Sequence, residues 1–294
     1  MTKILSVGEV LLDIFPVGAK LGGAPANYAW YCSQYGYESY IVSAVGSDDN
    51  GARIMRELKD MGMGTSMIQK LDKYPTGTVK VTLNSNLGPR YAIAENVAWD
   101  HIEFTPEVAA LAAEADVICF GTLAQRSPVT KATIDSILAA AKKDAVKIFD
   151  INLRQSFFSK GIIEDSLAQA NILKISSEEL PVVADMLEMQ GEEVELCRQI
   201  LQKYNLAIVI LTKSYDGSII ITHDTEHRHD GTLVDNLEDT VGAGDSFAAT
   251  FSHGFLKGAD FDLIGASANE VASYVCTSKG AMVKLPEALT AIFN

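Results

Sequence analysis

The stretch richest in chemistry is Asp239-Thr240-Val241-Gly242-Ala243-Gly244-Asp245-Ser246-Phe247. It follows a polar, turn-rich segment. Phe247, Phe251 and Phe255 then recur at i, i+4 spacing, which predicts a helix opening here. Gly242 and Gly244 put no side chain in a ligand's way, so the backbone N–H groups of Gly242, Ala243, Gly244 and Asp245 can converge on an anion at the helix N-terminus, where the dipole assists. Asp245 falls in the first turn, where an aspartate commonly serves as a cap. Next to a nest of amide donors it has a second use. The amides can hold the charge of a phosphoryl group in transfer while the carboxylate accepts the proton of an attacking hydroxyl. No Gly-Lys-Ser/Thr follows, so this is not a Walker A loop. No strand directly precedes it and the third glycine is missing, so it is not a dinucleotide fingerprint. The residues alone leave anion site and structural cap both open.

Such a site needs a frame. Short β-branched runs at Ile4 to Val7, Tyr40 to Val45, Val117 to Phe120, Val146 to Asp150, Ile172 to Ile175, Ala207 to Leu211 and Ser218 to Ile221 predict strands. Amphipathic stretches over 24–35, 51–61, 106–114, 129–142, 178–188 and 192–204 predict helices between them. The alternation gives an α/β fold, a mainly parallel central sheet with helices on both faces. With no repeat, low-complexity tract or Pro/Ser linker, residues 1–294 read as a single domain. The rhythm breaks at Thr76 to Trp99: Val79, Val81 and Leu83 alternate with polar residues and Asn84 to Pro89 signals a turn, so a hairpin outside the parallel sheet is expected. Val10 to Val17 would add a strand. Strands from about 10–20 and 76–99 thus make a candidate β lid that excludes water from a reaction, or else an antiparallel extension of the main sheet.

The chain is 48% hydrophobic and 21% charged, with a formal net charge of -14 and a sequence pI near 4.8. This acidic balance disfavours nucleic acid and anionic membrane surfaces as partners. Cys32, Cys119, Cys197 and Cys276 are scattered without a C-x-x-C pair and read as buried thiols of a reducing compartment. The first residues reach Gly8-Glu9 too soon for a signal h-region and no apolar run of about 18 residues occurs, so a cytoplasmic location is expected.

Three further blocks carry a family likeness: Gly8-Glu9-Val10-Leu11-Leu12-Asp13, Leu21-Gly22-Gly23-Ala24-Pro25-Ala26-Asn27-Tyr28-Ala29, and Ser43 to Gly51. With Asp239 to Asp245, which looks like a D-T-x-G-A-G-D signature, they resemble the ribokinase-like (phosphofructokinase-B type) carbohydrate kinases. The motifs run in the family's order along nearly the whole chain. The resemblance implies a three-layer α/β sandwich with a small β-sheet lid, ATP and Mg2+ as cofactors, and Asp245 as catalytic base. It places sugar hydroxyls on Asp13 and Asn27, with Gly22 and Gly23 allowing close approach. From residue type alone, Asp13 is a turn residue, Asn27 a helix-surface residue and Gly22-Gly23 a glycine turn.

Downstream positions follow the same resemblance. Relatives have Asn-x-x-Glu after a strand, whose Glu orders magnesium through water. Here Ser176 replaces that Asn, while Glu179 keeps the role; the two also suit a capping box. Leu211-Thr212-Lys213-Ser214-Tyr215-Asp216-Gly217 matches a nucleotide loop, with Thr212 and Gly217 as cofactor contacts and Ser214 where glycine is common. Asn269 falls where relatives meet the adenine end; on pattern alone it is an exposed helix residue. Asp150-Ile151-Asn152-Leu153-Arg154 closes a strand at the carboxyl end that faces ligands in α/β sheets, so Arg154 could neutralise phosphate or pair with an acid. Arg90 in the hairpin could close over substrate or lie exposed. A K+ ion near Asp239 and the Cys276–Gly280 loop occurs in some relatives. Lid-bearing relatives also form homodimers through the lid, although this hairpin shows no clear apolar outer face. His227 and His229 read as a solvated polar turn rather than a metal pair.

The Gly-Glu-x-Leu-x-Asp and Gly-Gly-Ala-Pro-Ala-Asn blocks look most like fructokinases, making D-fructose the first expectation for the acceptor. The alternatives are 2-keto-3-deoxygluconate, ribose or a nucleoside. From other classes come a catalytically silent sugar sensor, disfavoured by an intact Asp245 with both glycines, and a dinucleotide-linked oxidoreductase, disfavoured by the missing fingerprint.

Overall fold

The computed structural model describes residues 1–16, 18–84, 88–232, 234 and 236–293, with the backbone alone at 82–84 and 88–90. Its strands are β1 (Lys3–Val7), β2 (Leu11–Phe15), β3 (Gly18–Gly22), β4 (Glu38–Gly46), β5 (Ile68–Leu71), β6 (Thr78–Asn84) and β7 (Gly88–Ile93). They continue with β8 (Val117–Phe120), β9 (Val146–Asp150), β10 (Ile172–Ser176), β11 (Ile208–Thr212), β12 (Ser218–Ile221) and β13 (Glu226–His229). The helices are α1 (Ala24–Gln34), α2 (Asp49–Asp60), α3 (Pro106–Glu114), α4 (Pro128–Ala140) and α5 (Lys160–Gln169). After these come α6 (Leu180–Met186), α7 (Glu193–Lys203), α8 (Ala243–Leu256), α9 (Phe261–Cys276) and α10 (Glu287–Thr290).

Two sheets result. The larger runs β13-β12-β11-β10-β9-β8-β1-β4-β5, parallel from β11 to β5, with β12 and β13 antiparallel at one edge. Strand alternation divides its side chains into two cores. Leu5, Val7, Phe149, Leu173 and Ile175 point to one face and are covered by α3 to α7. Ile4, Ile148, Ile172 and Ile208 point to the other, under α1, α8 and α9. This is the three-layer α/β arrangement expected. Each of these fully buried aliphatic side chains contributes about 1.5–3 kcal/mol. The predicted strands and helices of this core fall within two residues of those observed; the helix expected over 178–188 is Leu180–Met186. Among the described residues no helix is long and apolar enough to cross a membrane.

The smaller sheet, ordered β3-β2-β6-β7, lies beside the larger one, over Ile54 and Leu58 of α2. Its pairing is antiparallel at β2–β3 and β6–β7 but parallel at β2–β6. The hairpin is shorter than its pattern suggested. The expected turn residues 85–87 lie outside the described residues, and the second strand ends at Ile93. Beyond Ala94 the chain leaves the sheet, as Val97, Ala98 and Trp99 bury in the main core and Arg126 holds the segment there. Its guanidinium pairs with Asp100 at 2.8 Å, donates to the Ala94 carbonyl at 2.6 Å and stacks 4.0 Å from the buried Trp99 ring. The three buried cysteines and the half-buried Cys276 are free thiols.

Candidate active site

The centre of the site is the start of α8. Gly242 adopts φ 85, a left-handed conformation that a larger residue would resist, and a Cβ there would sit 2.3 Å from the Ala281 carbonyl oxygen. The chain therefore turns tightly into the helix and exposes Gly244 and the first-turn amides. From Ser246 to Gly254 every residue of α8 is buried. Helix α1 is bolted to it by hydroxyls: Tyr28 to Ser252 at 2.8 Å and Tyr35 to Thr250 at 2.7 Å. That docking brings Asn27 onto Asp245, with Nδ2 donating to Oδ2 at 2.7 Å across 218 residues of sequence. Asn27 is buried, not on the helix surface, and its Oδ1 has no partner among the described residues.

Asp245 opens onto a cleft of about 530 Å3 that reaches under the smaller sheet. Asp13, Gly23, Asn27, Arg154, Gly242, Gly244 and Asp245 all line it. The volume falls in the range of small-molecule sites. Asp13 stands in the middle of β2, not in a turn or at the strand's end, paired with Lys20. Gly22 makes room for it, since a Cβ there would lie 2.7 Å from Asp13 Oδ2. Gly23, at φ 109, passes so close to the Glu9 carbonyl that a Cβ would come within 2.4 Å.

The electrostatics are concentrated. Burial, reinforced by Asp150, pushes the Asp245 carboxyl up to about 6 against the Asn27 hydrogen bond, Lys174 and Arg154. Burial and Asp239 raise Asp13 to about 6, opposed by Lys20 and Arg154. Burial raises Glu9, which also lines the cleft, to about 7, opposed by its own backbone amide and Arg154. Arg154 thus acts on all three acids. Among the described residues it has no carboxylate within ion-pair distance, and its guanidinium only donates to the Leu153 carbonyl at 3.1 Å.

Below the nest, Lys174 and Asp150 occupy paired positions on adjacent parallel strands and meet at 3.0 and 3.1 Å. Burial works against the Lys174 charge, but Asp150, Glu179 and Asp245 together outweigh it and the lysine's pKa is raised. A Cβ on Gly244 would lie 3.3 Å from Lys174 Nζ, so this ammonium sits directly beneath the nest. Gln155, at φ 50, donates to the Tyr91 carbonyl at 2.7 Å and ties the cleft floor to the smaller sheet. A lone lysine in the apolar run Ile172-Leu173-Lys174-Ile175 was the sequence signal for Lys174, and the Gly8-Glu9 pair was quoted only as part of a motif. Nothing local marked Gln155 or Tyr91.

Several other candidates do not line the cleft. Glu179 accepts from Leu153 N at 2.8 Å and from Ser176 N and Oγ at 2.9 Å, and Ser176 Oγ in turn receives Glu179 N at 3.3 Å. This reciprocal pair closes the turn before α6. Thr212 ends β11 beside Ser176. Gly217, at φ 94, lets the next loop pack on the end of β13, where a Cβ would be 1.9 Å from the His229 carbonyl oxygen. Asn269 is buried rather than exposed and donates to Ser218 Oγ at 2.9 Å. Asp239 accepts from Val241 N at 3.2 Å and Gly280 N at 3.1 Å, with the Lys20 ammonium 3.8 Å away, where a monovalent cation at this carboxylate would compete with it. Arg90 lies in β7, its side chain outside the described residues. His227 and His229 are in strand β13, not in a solvated turn.

The family model for pfkB carbohydrate kinases matches residues 2–288. This chain is a pfkB-family carbohydrate kinase. A sugar kinase of Pyrococcus horikoshii is 30% identical over 297 residues, covering 95% of this chain and 91% of that one. The crystal structure of that kinase in complex with ATP superposes with a TM-score of 0.82 at 26% identity, over 95% of this chain and 94% of the other. An ATP-dependent 6-phosphofructokinase of Thermoanaerobacterium thermosaccharolyticum is 27% identical over 97% of this chain and 91% of its own. A fructokinase of Escherichia coli is 25% identical over 97% and 96%. Within the pfkB family the fold and the kinase activity are therefore set, whereas these relatives differ in the sugar they phosphorylate.

Proposed function

We propose that this carbohydrate kinase transfers the γ-phosphate of ATP to a hydroxyl of D-fructose, with Asp245 as the base. One observation carries the reading: a carboxylate with a raised pKa stands at the mouth of an amide nest and faces a cleft lined by Asp13 and Asn27. Asp13 and the unpartnered Oδ1 of Asn27 accept from sugar hydroxyls, and the Asn27 amide holds Asp245 in place. Asp245 takes the proton of the reacting sugar hydroxyl. The sugar oxygen bonds to the γ-phosphorus as the bond from that phosphorus to the β–γ bridging oxygen breaks, and ADP leaves. The amides from Gly242 to Asp245 and the Lys174 ammonium receive the charge of the transferred group. The β2–β3 and β6–β7 strands act as a lid, tied down through Gln155 and Tyr91.

The nucleotide would extend from the nest towards Thr212, Gly217 and Asn269. Glu179, whose oxygens accept from Leu153 N and from Ser176, would help to order magnesium through water. Magnesium bound with ATP neutralises charge on the phosphates. The Gly-Glu-x-Leu-x-Asp and Gly-Gly-Ala-Pro-Ala-Asn blocks and the E. coli relative favour fructose. Arg154 favours a second reading, since a cleft guanidinium without an acidic partner suits an anionic sugar such as 2-keto-3-deoxygluconate. Coupled ADP release across a sugar panel tests both. Fructose giving the highest kcat/KM supports the first; a sugar acid giving it replaces fructose with the second.

A further inference from the structure

A second constellation lies between the edge strand β13 and the N-terminal turn of α9. His227 and His229 are two apart on the strand and so share a face. That face is turned to the helix. His227 Nδ1 lies 2.7 Å from Asp262 Oδ1, and its Nε2 lies 3.0 Å from Thr225 Oγ1. His227, Asp260 and Asp262 each present a ligand atom within 4.8 Å of the others. Acidic residues at a helix start commonly do no more than cap it, and Asp260 does accept from Asp262 N at 2.8 Å.

His229 is not explained by capping. Its side chain is only 8% exposed, and its Nε2 has no hydrogen-bond partner among the described residues. That nitrogen packs against Gly265 and lies 3.9 Å from Asp262 Oδ1. The helix leaves space for the ring: a Cβ on Gly265 would stand 2.1 Å from His229 Cδ2 and 2.4 Å from Nε2. An orphaned buried nitrogen costs about 1–3 kcal/mol, a cost that a ligand removes.

We propose that His227, His229 and Asp262, with Asp260 as fourth donor, form a site for a zinc-class divalent ion. Two imidazoles with carboxylates suit a borderline metal better than magnesium or calcium, which prefer oxygen donors throughout. Thr225 Oγ1 can accept the Nε2 proton of His227, which turns the Nδ1 lone pair to the metal, as outer partners of ligating histidines do. Binding of the ion needs His227 Nδ1 without a proton, which this tautomer provides. Zinc holds its ligand atoms about 2.0–2.2 Å away, so the 2.7 Å contact of His227 with Asp262 must open while the other donors draw in. Asp262, 70% exposed, is free to turn inward. The ion would staple the sheet edge to α9, the helix packed on α8.

The test needs no kinase activity. Protein stripped with EDTA is titrated with Co2+ and its visible d–d absorption recorded, then Zn2+ is added and thermal unfolding measured. The expected result is a saturable spectrum at one equivalent, bleached by Zn2+, with an unfolding midpoint that rises in Zn2+. Asp262→Ala and His229→Gln should each weaken Co2+ binding at least about tenfold, while His223→Gln, at an exposed turn, leaves it unchanged. If His229→Gln fails to fold, the exposed Asp262→Ala carries the test. No saturable spectrum, or a spectrum unaltered by Asp262→Ala, overturns the proposal.

Discussion

Asp245→Asn separates a catalytic base from a helix cap. The amide keeps the shape of the carboxylate and can still accept from Asn27 Nδ2, now at 2.7 Å, but it cannot take a proton. General-base assistance is worth about 10²–10⁴ in rate, so kcat should fall by that factor, about 3–5 kcal/mol. Stability should move the other way. The Asp245 pKa stands at about 6 against an ordinary 3.8, chiefly because the charged form is desolvated. Keeping it ionised at neutral pH therefore costs the fold up to about 3 kcal/mol, which the neutral amide relieves. The assays are steady-state ADP release with saturating sugar, ATP affinity by calorimetry, and thermal unfolding. Turnover lost with ATP affinity held within about twofold and an equal or higher midpoint supports the base. Turnover near that of the parent refutes it, and a lowered midpoint would show that Asp245 serves mainly as a cap.

Asp13 and Asp245 titrate near 6 and Glu9 near 7, so log kcat/KM should rise with pH up to about 7 with a slope above one, as coupled macroscopic ionisations; a flat profile over pH 5 to 7 contradicts this. These raised carboxyls bind protons more readily in the folded chain, so their destabilisation fades as pH falls. The unfolding midpoint should climb from pH 8 to about 5, then drop as Asp48 and Asp116, whose pKa values are lowered, protonate below 3.8; a monotonic fall from pH 8 rejects the buried charges. Gly244→Ala puts a methyl 3.3 Å from Lys174 Nζ in a helical turn that tolerates alanine, so kcat should drop about 10²–10³-fold with the midpoint unchanged. Arg126→Met leaves buried Asp100 uncompensated and should cost about 3–5 kcal/mol in urea unfolding.

The sequence carries the nest most directly, because glycines at 242 and 244 and the aspartate at 245 act through backbone geometry that adjacent residues determine. Alternation of apolar runs gave strands such as Val117–Phe120 and Val146–Asp150 to the residue, since both faces of a parallel strand are buried. What stayed hidden depends on partners far along the chain. The polar–apolar alternation of the hairpin runs on into Ala94 to Trp99, and it is distant partners such as Arg126 and Thr130 that hold that segment in the core. Asn27 looked like a surface residue because the helix that buries it, α8, begins 216 positions later. Edge strand β13 contains no apolar residue, so its period-2 pattern of inward histidines and outward charges read as a turn.

The most direct test of the account follows the phosphate itself. ATP, Mg2+ and fructose are incubated with the parent enzyme and with Asp245→Asn, and the products are resolved by phosphorus NMR. The account predicts a new sugar-phosphate resonance, growing in step with ADP in the parent and lost by about 10²-fold or more in the variant. If ADP forms without any sugar-phosphate signal across the sugar panel, or if the signal grows equally in both proteins, the central claim is contradicted.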